Sequence, residues 1–391
     1  MTSNPPARAA GLTTDDRFMK AALRLARRNL GQTWPNPAVG ALIVSQDESG
    51  HFMITGKGAT ARGGRPHAER IALEMAGEAA RCATCYVTLE PCAHHGRTPP
   101  CAQALVDAGV GRVVIGAGDP DSRVAGKGIE LMRSAGIVVE TGVMGDEAAL
   151  LSAGHILRVR NRRPFVTLKM ALTADGMFAG QGHKEISITG KETRAYVHMM
   201  RACHDAVLTG RGTVQTDDPQ LTCRLQGMEY KSPVRVVLDS RFTLGSILLL
   251  FQGRPPVWIV GLAGYAENAK ALEQAGARIL FADGGMERPG VQQVLEILAR
   301  EGITRLMVEA GGEVAEAFLA SGLVDEIVVA RSPRTLAQIA PGAGAGRAAP
   351  LLDTLARNPD GSAYELVDTF KRGADTLTVL RRRGLVSGLL A

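Results

Sequence analysis

Four residues in the first third of the chain have the types and spacing of a catalytic zinc site. His67 and Glu69 open the segment "HAERIAL", and Cys92 and Cys101 flank the loop "AHHGRTPP". One imidazole and two thiolates fill three positions of a tetrahedral zinc ion and leave the fourth for water. Zinc lowers the pKa of bound water to about 7, and a nearby carboxylate such as Glu69 would then move protons. These residues predict zinc-dependent hydrolysis.

The spacer between the two cysteines sets this pattern apart. Zinc deaminases carry an H-x-E…P-C-x-x-C signature with two residues between the cysteines, whereas eight residues separate Cys92 from Cys101. His94, His95 and Arg97 lie within the spacer, where they would face substrate or would be solvated loop residues. We expect Cys101 at the start of a helix, where the helix dipole favours its thiolate.

Alternating strands and helices must position these residues. Apolar strands alternate with amphipathic helices along the first 150 residues, which predicts an α/β domain with a mainly parallel sheet. The expected strands of this domain are 38–45, 84–90, 112–117 and 137–143, and helices are expected at 15–30, 67–80, 101–109 and 128–136.

A charged stretch closed by proline marks the expected domain boundary, and the alternation restarts after it. The predicted organisation is a disordered lead-in 1–14, a first domain 15–153, a linker 154–164 and a second α/β domain 165–391. Seven strands are expected in the second domain, at 165–173, 205–210, 234–240, 256–261, 277–282, 305–310 and 325–330. No strand precedes the glycine-rich segment 340–350, so we expect a flexible surface loop there rather than a phosphate loop.

Several motifs together resemble one enzyme family. "HAE", "TLEPCAHHGRTPPC" and "WPNPAVG" are similar to the bifunctional deaminase–reductases of riboflavin biosynthesis, and "LKMALTADG", "HDAVLTGRGTVQTDDPQLTCR", "VRVVLDS" and "VEAGG" extend the resemblance through the second half. The resemblance implies a cytidine-deaminase-like α/β/α domain followed by a dihydrofolate-reductase-like α/β domain. It also implies zinc-dependent deamination of 2,5-diamino-6-ribosylamino-4(3H)-pyrimidinone 5′-phosphate, and then NADPH-dependent reduction of its ribosyl group to ribityl.

The resemblance further implies residue roles in the deaminase domain. A histidine is frequent in similar sequences where this chain has Thr60, which leaves one side contact in doubt. The implied zinc ligands are His67, Cys92 and Cys101, the implied proton shuttle is Glu69, and the implied substrate contacts are Asn36, His94 and Arg97.

In the reductase domain the resemblance implies a catalytic lysine, Lys169. A lone lysine on an apolar strand is costly unless it points into a site. The implied NADPH contacts are Ala171, Ser187, Thr213, Asp217, Ser240, Arg241, Gly311 and Gly312, and the implied substrate contacts are Glu185, Arg201, Leu221, Arg224 and Glu309.

Four features of the reductase half leave residue roles open. Similar sequences usually carry a tryptophan where this chain has Ser187, and the segment 331–350 diverges from them. Arg241 suits the 2′-phosphate of NADPH through its forked donors, but it would equally be a solvated loop residue. Arg201 would face substrate phosphate or lie on a solvated helix face.

The composition of the chain limits the kinds of molecule that it is expected to bind. The net charge of +6 and the pI near 9.1 suit anionic partners. Only 4% of residues are aromatic, whereas single-strand base recognition relies on exposed aromatic rings, so we expect a phosphorylated pyrimidine rather than nucleic acid. Without an apolar run of eighteen residues or a signal-peptide pattern, we expect a cytoplasmic protein with no membrane partner. A homodimer or homotetramer stays open.

Two rival functions use the same features. The chain would be a deaminase of free or tRNA-borne bases with a nucleic-acid-binding second domain, or its second domain would serve as a dimerisation scaffold without catalysis. Lys169, Asp217 and Glu309 argue against the scaffold, and Ser187 argues mildly for it.

Overall fold

The structure is a computed structural model, and its contacts divide the chain into two units. It describes residues 12–93, 99–180, 186–253, 255–283, 287–341, 346–348, 350, 355 and 362–391. The first unit comprises the chain up to Asn29 and Ala38–Ser152, and the second comprises Leu30–Pro37 and Ala153–Leu389. The segment 154–164, predicted as a linker, is largely a helix that belongs to the second unit.

The first unit is built on a five-stranded sheet with the order β2-β1-β3-β4-β5. Its strands are β1 Gly40–Gln46, β2 Phe52–Ala59, β3 Thr84–Leu89, β4 Arg112–Ala117 and β5 Val138–Thr141. Its helices are α1 Thr14–Arg27, α2 Ala68–Ala76, α3 Cys101–Asp107, α4 Lys127–Ser134 and α5 Gly145–Leu151.

The direction of β1 corrects the predicted sheet. β1 runs antiparallel to both β2 and β3, while β3, β4 and β5 are parallel, so the sheet is mixed rather than mainly parallel. The prediction missed the edge strand β2, which follows β1 in the chain and pairs antiparallel with it. Phe52, Met53 and Ile54 at its start are exposed, so no alternation of buried and exposed residues marks this strand in the sequence.

Two glycines let α2 lie against the sheet. A Cβ on Gly58 would lie 2.1 Å from the carbonyl oxygen of Ala68, and a Cβ on Gly56 would lie 2.1 Å from that of Ala72. Real Cβ atoms essentially never come so close to backbone, so only glycine permits this approach of strand and helix. The two glycines thus set how closely α2, the helix that begins after His67, packs against β2.

We expect Gly58→Ala to destabilise the first unit, because its Cβ would force α2 away from β2. Overpacking of this kind costs about 1–3 kcal/mol. The test is urea unfolding followed by hydrogen exchange in first-unit peptides. Gly145→Ala is the matched control, since its Cβ would meet nothing nearer than 3.6 Å. Equal stability of the two variants would contradict this account.

The second unit is built on a nine-stranded sheet with the order β11-β10-β9-β8-β12-β6-β13-β16-β15. Its strands are β6 Phe165–Leu172, β8 Ala206–Gly210, β9 Val234–Leu238, β10 Val257–Leu262, β11 Arg278–Ala282, β12 Arg305–Val308, β13 Glu326–Arg331, β15 Tyr364–Arg372 and β16 Asp375–Arg382. Its helices are α6 Ala153–Asn161, α7 Lys191–Ala202, α8 Arg211–Asp217, α9 Lys270–Gln274, α10 Val291–Arg300, α11 Gly312–Ala320, α12 Leu336–Ile339 and α13 Leu385–Leu390.

From β11 to β13 this sheet is parallel, and β16 and β15 add an antiparallel hairpin at one edge. Buried apolar residues cover both faces, as parallel sheets require. Leu168 belongs to the core on one face and Met307 to the core on the other. The carboxyl ends of the parallel strands therefore meet at one edge of the sheet.

Two short strands correct the prediction for the glycine-rich segment 340–350. β7, Met177–Gly180, pairs antiparallel with β14, Gly346–Ala348, so part of this segment is a strand rather than a loop. Residues 342–345 and 349 lie outside the described residues, as do 1–11 of the predicted lead-in.

The helices of the described ranges were compared with what a membrane span requires. No helix there combines the length and the apolar character needed to span a bilayer.

Candidate functional site

Three elements of the first unit bring the predicted metal ligands together. His67 is the residue at the N-cap of α2, Cys92 follows β3, and Cys101 is the first residue of α3. Their ligand atoms all lie within 4.8 Å of one another. His67 Nδ1 lies 3.4 Å from Cys101 Sγ and 3.7 Å from Cys92 Sγ. The structure therefore assembles the histidine and both cysteines into one cluster.

This cluster fits a tetrahedral zinc ion. Zn–N and Zn–S bonds of about 2.05 and 2.3 Å at a tetrahedral angle place nitrogen and sulfur roughly 3.6 Å apart. The two measured distances from His67 Nδ1 lie on either side of that value. One nitrogen and two sulfur donors also suit zinc better than magnesium or calcium, which prefer oxygen ligands.

The hydrogen bonds of the cysteines correct the predicted thiolate. The backbone N–H of Cys101 donates to Cys92 Sγ at 3.4 Å, so the start of α3 stabilises the thiolate of Cys92 rather than that of Cys101. Hydrogen bonds from Cys101 and His67 lower the pKa of Cys92 to about 4. The Cys92 thiolate and burial raise the pKa of Cys101. These contacts favour the thiolate of Cys92 over that of Cys101.

Glu69 lies beside the ligands in a dry environment. It is in the first turn of α2 and is only 3% exposed. Burial raises the pKa of Glu69, against the opposing effect of His67, and Cys101 shares a hydrogen bond with its carboxyl group. A buried carboxyl group beside the ligands is placed to take up and release protons, which is the predicted role of Glu69.

Four further residues are predicted to face the substrate at this site. His94, His95 and Arg97 lie outside the described residues. Asn36 belongs to the second unit, where its backbone exchanges hydrogen bonds with Thr33. Thr60 is buried, and its hydroxyl accepts a hydrogen bond from the N–H of Val39 at 3.0 Å. The roles of Asn36 and of the spacer residues stay predictions.

In the second unit, strand register places Lys169 beside Glu309. Leu168 of β6 pairs with Val308, the last residue of β12. Lys169 and Glu309, the residues that follow this pair, therefore lie side by side on the same face of the sheet. Lys169 Nζ lies 3.5 Å from Glu309 Oε1, and the two side chains are 12% and 18% exposed. The lone lysine of an apolar strand is thus paired with a carboxylate.

Arg201 of α7 approaches the same carboxylate from the other side. Its Nε donates to Glu309 Oε2 at 2.9 Å, and its side chain is only 10% exposed. Burial alone would raise the pKa of Glu309, but Lys169 and Arg201 outweigh it and hold this pKa below its usual value. Glu309 is therefore an anion between two cations, and Arg201 is not on a solvated helix face.

His198 is a neighbour of this group that the sequence did not reveal. Its Nδ1 lies 3.0 Å from the carbonyl oxygen of Thr222, and burial, with Arg201 and Arg224 nearby, lowers its pKa. The spacing of His198 and Arg201, three residues apart on α7, was the available signal, because such residues share one helix face.

Arg224 and Leu221 lie in the chain segment that follows α8. Arg224 is exposed and its guanidinium donates to Gln220 Oε1 at 3.2 Å. Leu221 is buried and has a left-handed backbone, with φ of 54°. Glu185 lies outside the described residues.

Predicted cofactor contacts gather where β8 and β12 end. The N–H of Gly311 donates to Thr213 Oγ1 at 3.1 Å, and α11 begins at Gly312. Thr213 lies in α8, whose last residue is Asp217. Strand ends, glycines and a helix start give the close backbone approach that a dinucleotide phosphate needs, so these residues fit such a cofactor.

Two other predicted cofactor contacts are Ala171, which lies on β6, and Ser187, which precedes α7. Ala171 is half-buried on β6, and Ser187 is exposed. Arg194 donates to Ser187 Oγ at 2.7 Å and to the carbonyl oxygen of Thr189 at 2.8 Å. The position where similar sequences carry tryptophan is therefore held by an arginine–serine hydrogen bond.

The turn after β9 presents Ser240 and Arg241. Asp239 is buried and accepts hydrogen bonds from the backbone of Thr243 at 2.6 Å and Leu244 at 2.8 Å, so it caps the turn. Arg241 is exposed, with its guanidinium 5.5 Å from the centre of the Tyr265 ring. The turn therefore holds a hydroxyl and a stacked guanidinium at the carboxyl edge of the sheet.

Two family models match the chain in succession. Residues 12–117 match the cytidine and deoxycytidylate deaminase zinc-binding region, and residues 164–346 match the RibD C-terminal domain. The first match contains His67, Glu69, Cys92 and Cys101. The predicted order of two α/β domains, a deaminase-like one before a reductase-like one, is confirmed.

Curated relatives are similar over most of their length. The riboflavin biosynthesis protein RibD of Aquifex aeolicus is 39% identical over 324 residues, which are 83% of this chain and 88% of that protein. RibD of Escherichia coli is 38% identical over 84% of this chain and 90% of its own length.

Solved structures show the same similarity. RibD of Acinetobacter baumannii matches with a TM-score of 0.78 and 36% identity, over 94% of this chain and 98% of that one. A Thermotoga maritima protein described as a diaminohydroxyphosphoribosylaminopyrimidine deaminase/5-amino-6-(5-phosphoribosylamino)uracil reductase matches with a TM-score of 0.78 and 34% identity, over the same shares.

Proposed function

This chain belongs to the RibD family of bifunctional riboflavin-biosynthesis enzymes, and we propose that its deaminase site is formed by His67, Glu69, Cys92 and Cys101 and its reductase site is centred on Lys169 and Glu309. The observation that carries this proposal is the convergence of one histidine and two cysteines within 4.8 Å, beside a buried glutamate. A zinc deaminase needs these groups in this arrangement.

In the deaminase unit, His67, Cys92 and Cys101 would hold Zn²⁺. The ion, when bound, supplies Lewis acidity and an activated water. Glu69 binds no metal in this proposal. Its carboxylate would take one proton from the water and give it to the pyrimidine ring nitrogen. It would then take the second proton from the hydroxyl group added to the ring and pass it to the amino group, which leaves as ammonia. Burial of Glu69 suits this cycle, because the raised pKa lets it hold the proton between transfers.

In the reductase unit, NADPH supplies the hydride that reaches C1 of the opened ribosyl group. Lys169 stabilises negative charge or donates a proton as the hydride arrives, and Glu309 keeps the ammonium in place at 3.5 Å. Thr213, Gly311 and Gly312 lie where the cofactor phosphates would approach backbone N–H groups. The remaining predicted contacts, Ala171, Ser187, Asp217, Leu221 and Glu185, are proposed on the resemblance.

The substrate is proposed to be 2,5-diamino-6-ribosylamino-4(3H)-pyrimidinone 5′-phosphate, deaminated and then reduced to 5-amino-6-ribitylamino-uracil 5′-phosphate. The activities for which the Thermotoga maritima relative is named and the basic charge of this chain support this class of substrate. Asn36, His94 and Arg97 are proposed as its contacts in the deaminase. A cytoplasmic location and a dimeric or tetrameric assembly stay predictions.

The experiment that tests this function uses the purified full chain. We expect ammonia release from the diamino substrate, and oxidation of NADPH only once the deaminated product is present. Zinc content near one ion per chain, measured by atomic emission, would accompany both activities. Ammonia release without any NADPH oxidation would exclude the reductase assignment.

Arg241 gives a prediction about the choice of cofactor. A 2′-phosphate is the charge that distinguishes NADPH from NADH, and the guanidinium of Arg241 is exposed at the strand edge where it would bind this group. A charge-assisted hydrogen bond contributes about 1.5–3 kcal/mol. We therefore expect Arg241→Ala to weaken NADPH binding roughly ten- to hundredfold and to leave NADH binding nearly unchanged.

The cofactor prediction is measured as the dissociation constants of both cofactors by fluorescence titration. Arg300→Ala, at the exposed end of α10, is the control for loss of one positive charge. Equal losses for the two cofactors, or no loss for either, would overturn the assignment of Arg241 to the 2′-phosphate.

A further inference from the structure

Glu90 is a buried carboxyl group for which the proposed deamination has no use. It directly follows β3, and it is 5% exposed. The N–H of Asp119 donates to its Oε2 at 3.4 Å, whereas Oε1 is buried without a hydrogen bond of good geometry to the described residues. A buried carboxyl group that is only partly satisfied is costly. Packing alone therefore does not explain a glutamate at this position.

The backbone groups around Glu90 belong to the connection between β4 and α4. Burial raises the pKa of Glu90, and the backbone N–H groups of Asp119, Gly126 and Ile129 oppose this shift. Gly126 precedes α4, and Ile129 lies in its first turn. The N–H of Glu90 also donates to the carbonyl oxygen of Ala117, the last residue of β4, at 2.9 Å. Glu90 thus ties the end of β3 to the start of α4.

The first turn of α4 packs directly against the residue that separates Glu90 from Cys92. A Cβ on Gly128 would lie 2.3 Å from the carbonyl oxygen of Pro91 and 3.6 Å from the Cβ of Ala102 in α3. Real Cβ atoms essentially never come as close to backbone as 2.3 Å, so only glycine permits this contact. The start of α4 therefore rests on the backbone next to one proposed ligand.

The same short segment is held by the start of α3. The carbonyl oxygen of Cys92 accepts a hydrogen bond from the N–H of Ala102 at 3.2 Å, and its Sγ accepts one from the N–H of Cys101 at 3.4 Å. α3 thus holds Cys92 directly, and α4 holds it through Pro91. Where the Cys92 sulfur lies depends on both helices.

We propose that Glu90 and Gly128 are positioning residues of the metal site, which dock the start of α4 on Pro91 and so hold Cys92 at the separation from His67 that zinc requires. This deepens the proposed deaminase function and rests on it. Neither residue touches metal or substrate. Groups that orient a metal ligand without binding the metal typically contribute about 10–100-fold to metal affinity.

The test measures the zinc dissociation constant of the full-length chain by competition with a chromogenic chelator. We expect Glu90→Ala and Gly128→Ala each to weaken zinc binding about ten- to hundredfold. Glu130→Ala, at an exposed glutamate of α4, is the control for Glu90. Gly145→Ala is the control for Gly128, since its Cβ would meet nothing nearer than 3.6 Å. Unchanged zinc affinity in Glu90→Ala or in Gly128→Ala would overturn the assignment of that residue.

The stability that zinc adds separates positioning from a purely structural role. Hydrogen exchange of peptides from β3 and β4 gives the opening free energy of the first unit with and without zinc. A structural role lowers both values equally, whereas loss of zinc affinity narrows the difference between them. Each tenfold loss of affinity corresponds to about 1.4 kcal/mol of this difference. An equal loss with and without zinc would overturn the proposal.

The double variant tests whether the two residues act together. Because both serve one docking contact, Glu90→Ala combined with Gly128→Ala should bind zinc about as weakly as the weaker single variant. Losses that multiply would overturn the shared role.

A conservative substitution keeps the proposal testable if Glu90→Ala fails to fold. Glu90→Gln keeps an acceptor but loses the charge that strengthens its hydrogen bonds, so we expect a smaller but measurable loss of zinc affinity. Zinc affinity equal to that of the natural chain would overturn the assignment of Glu90. A natural chain that binds no zinc would overturn the deaminase site itself, whereas unaltered variants would leave that site standing.

Discussion

Glu69→Gln should abolish ammonia release, by about 10²–10⁴-fold, while zinc stays bound and NADPH-dependent reduction continues. The substitution keeps the shape of the side chain and removes its ability to carry a proton. It replaces none of the three proposed ligands, whose atoms converge within 4.8 Å, although the Glu69 side chain shares a hydrogen bond with Cys101. Ammonia release from the diamino substrate, zinc content and NADPH oxidation with the deaminated substrate are measured on the same preparation.

Glu74→Gln is the matched control, because Glu74 is an exposed glutamate on the same helix as Glu69. We expect it to retain both activities. If Glu69→Gln lost both activities while remaining folded, two independent sites would be the wrong description of the chain. If it retained ammonia release, another group would be the proton shuttle.

The parallel strands of the second unit were predictable because their apolar runs are buried on both faces. All seven predicted strands there were found, with β6 at Phe165–Leu172 and β13 at Glu326–Arg331 as examples. The hairpin of β15 and β16 was missed, because β15 is exposed along most of its length and carries no hydrophobic period. Edge strands such as β2 and β15 are specified by pairing with a neighbour, which no local pattern reveals.

The cluster of His67, Cys92 and Cys101 was predictable from the residue types and the H-x-E motif, because together with Glu69 they form a combination that is typical of a catalytic zinc site, although eight residues rather than two separate the cysteines. Which of the two cysteines is deprotonated more easily could not be predicted. Whether the start of α3 favours the thiolate of Cys92 or of Cys101 depends on where an N–H points, which is a tertiary fact. The contact of the Arg201 side chain with Glu309 could likewise not be predicted from the sequence, because the two residues are 108 positions apart in the chain.

Lys169→Ala should lower the turnover of NADPH-dependent reduction by about 10²–10³-fold and leave ammonia release unchanged. Its ammonium is the cation at the end of the charge chain that Glu309 and Arg201 form, at 3.5 Å from Glu309 Oε1. Truncation removes positive charge at the point where we propose that hydride transfer develops negative charge, and Arg201 cannot replace it because its guanidinium is held against Glu309 Oε2.

Lys270→Ala controls for the loss of one lysine, because Lys270 is exposed on α9 and pairs with exposed Glu267. We expect Lys270→Ala to reduce the substrate at the normal rate. NADPH dissociation constants should be equal in the two variants, which would place the effect of Lys169 in the chemical step rather than in cofactor binding. A Lys169→Ala variant with normal kcat would show that this lysine only balances the charge of Glu309, and the reductase would then need a different proton donor.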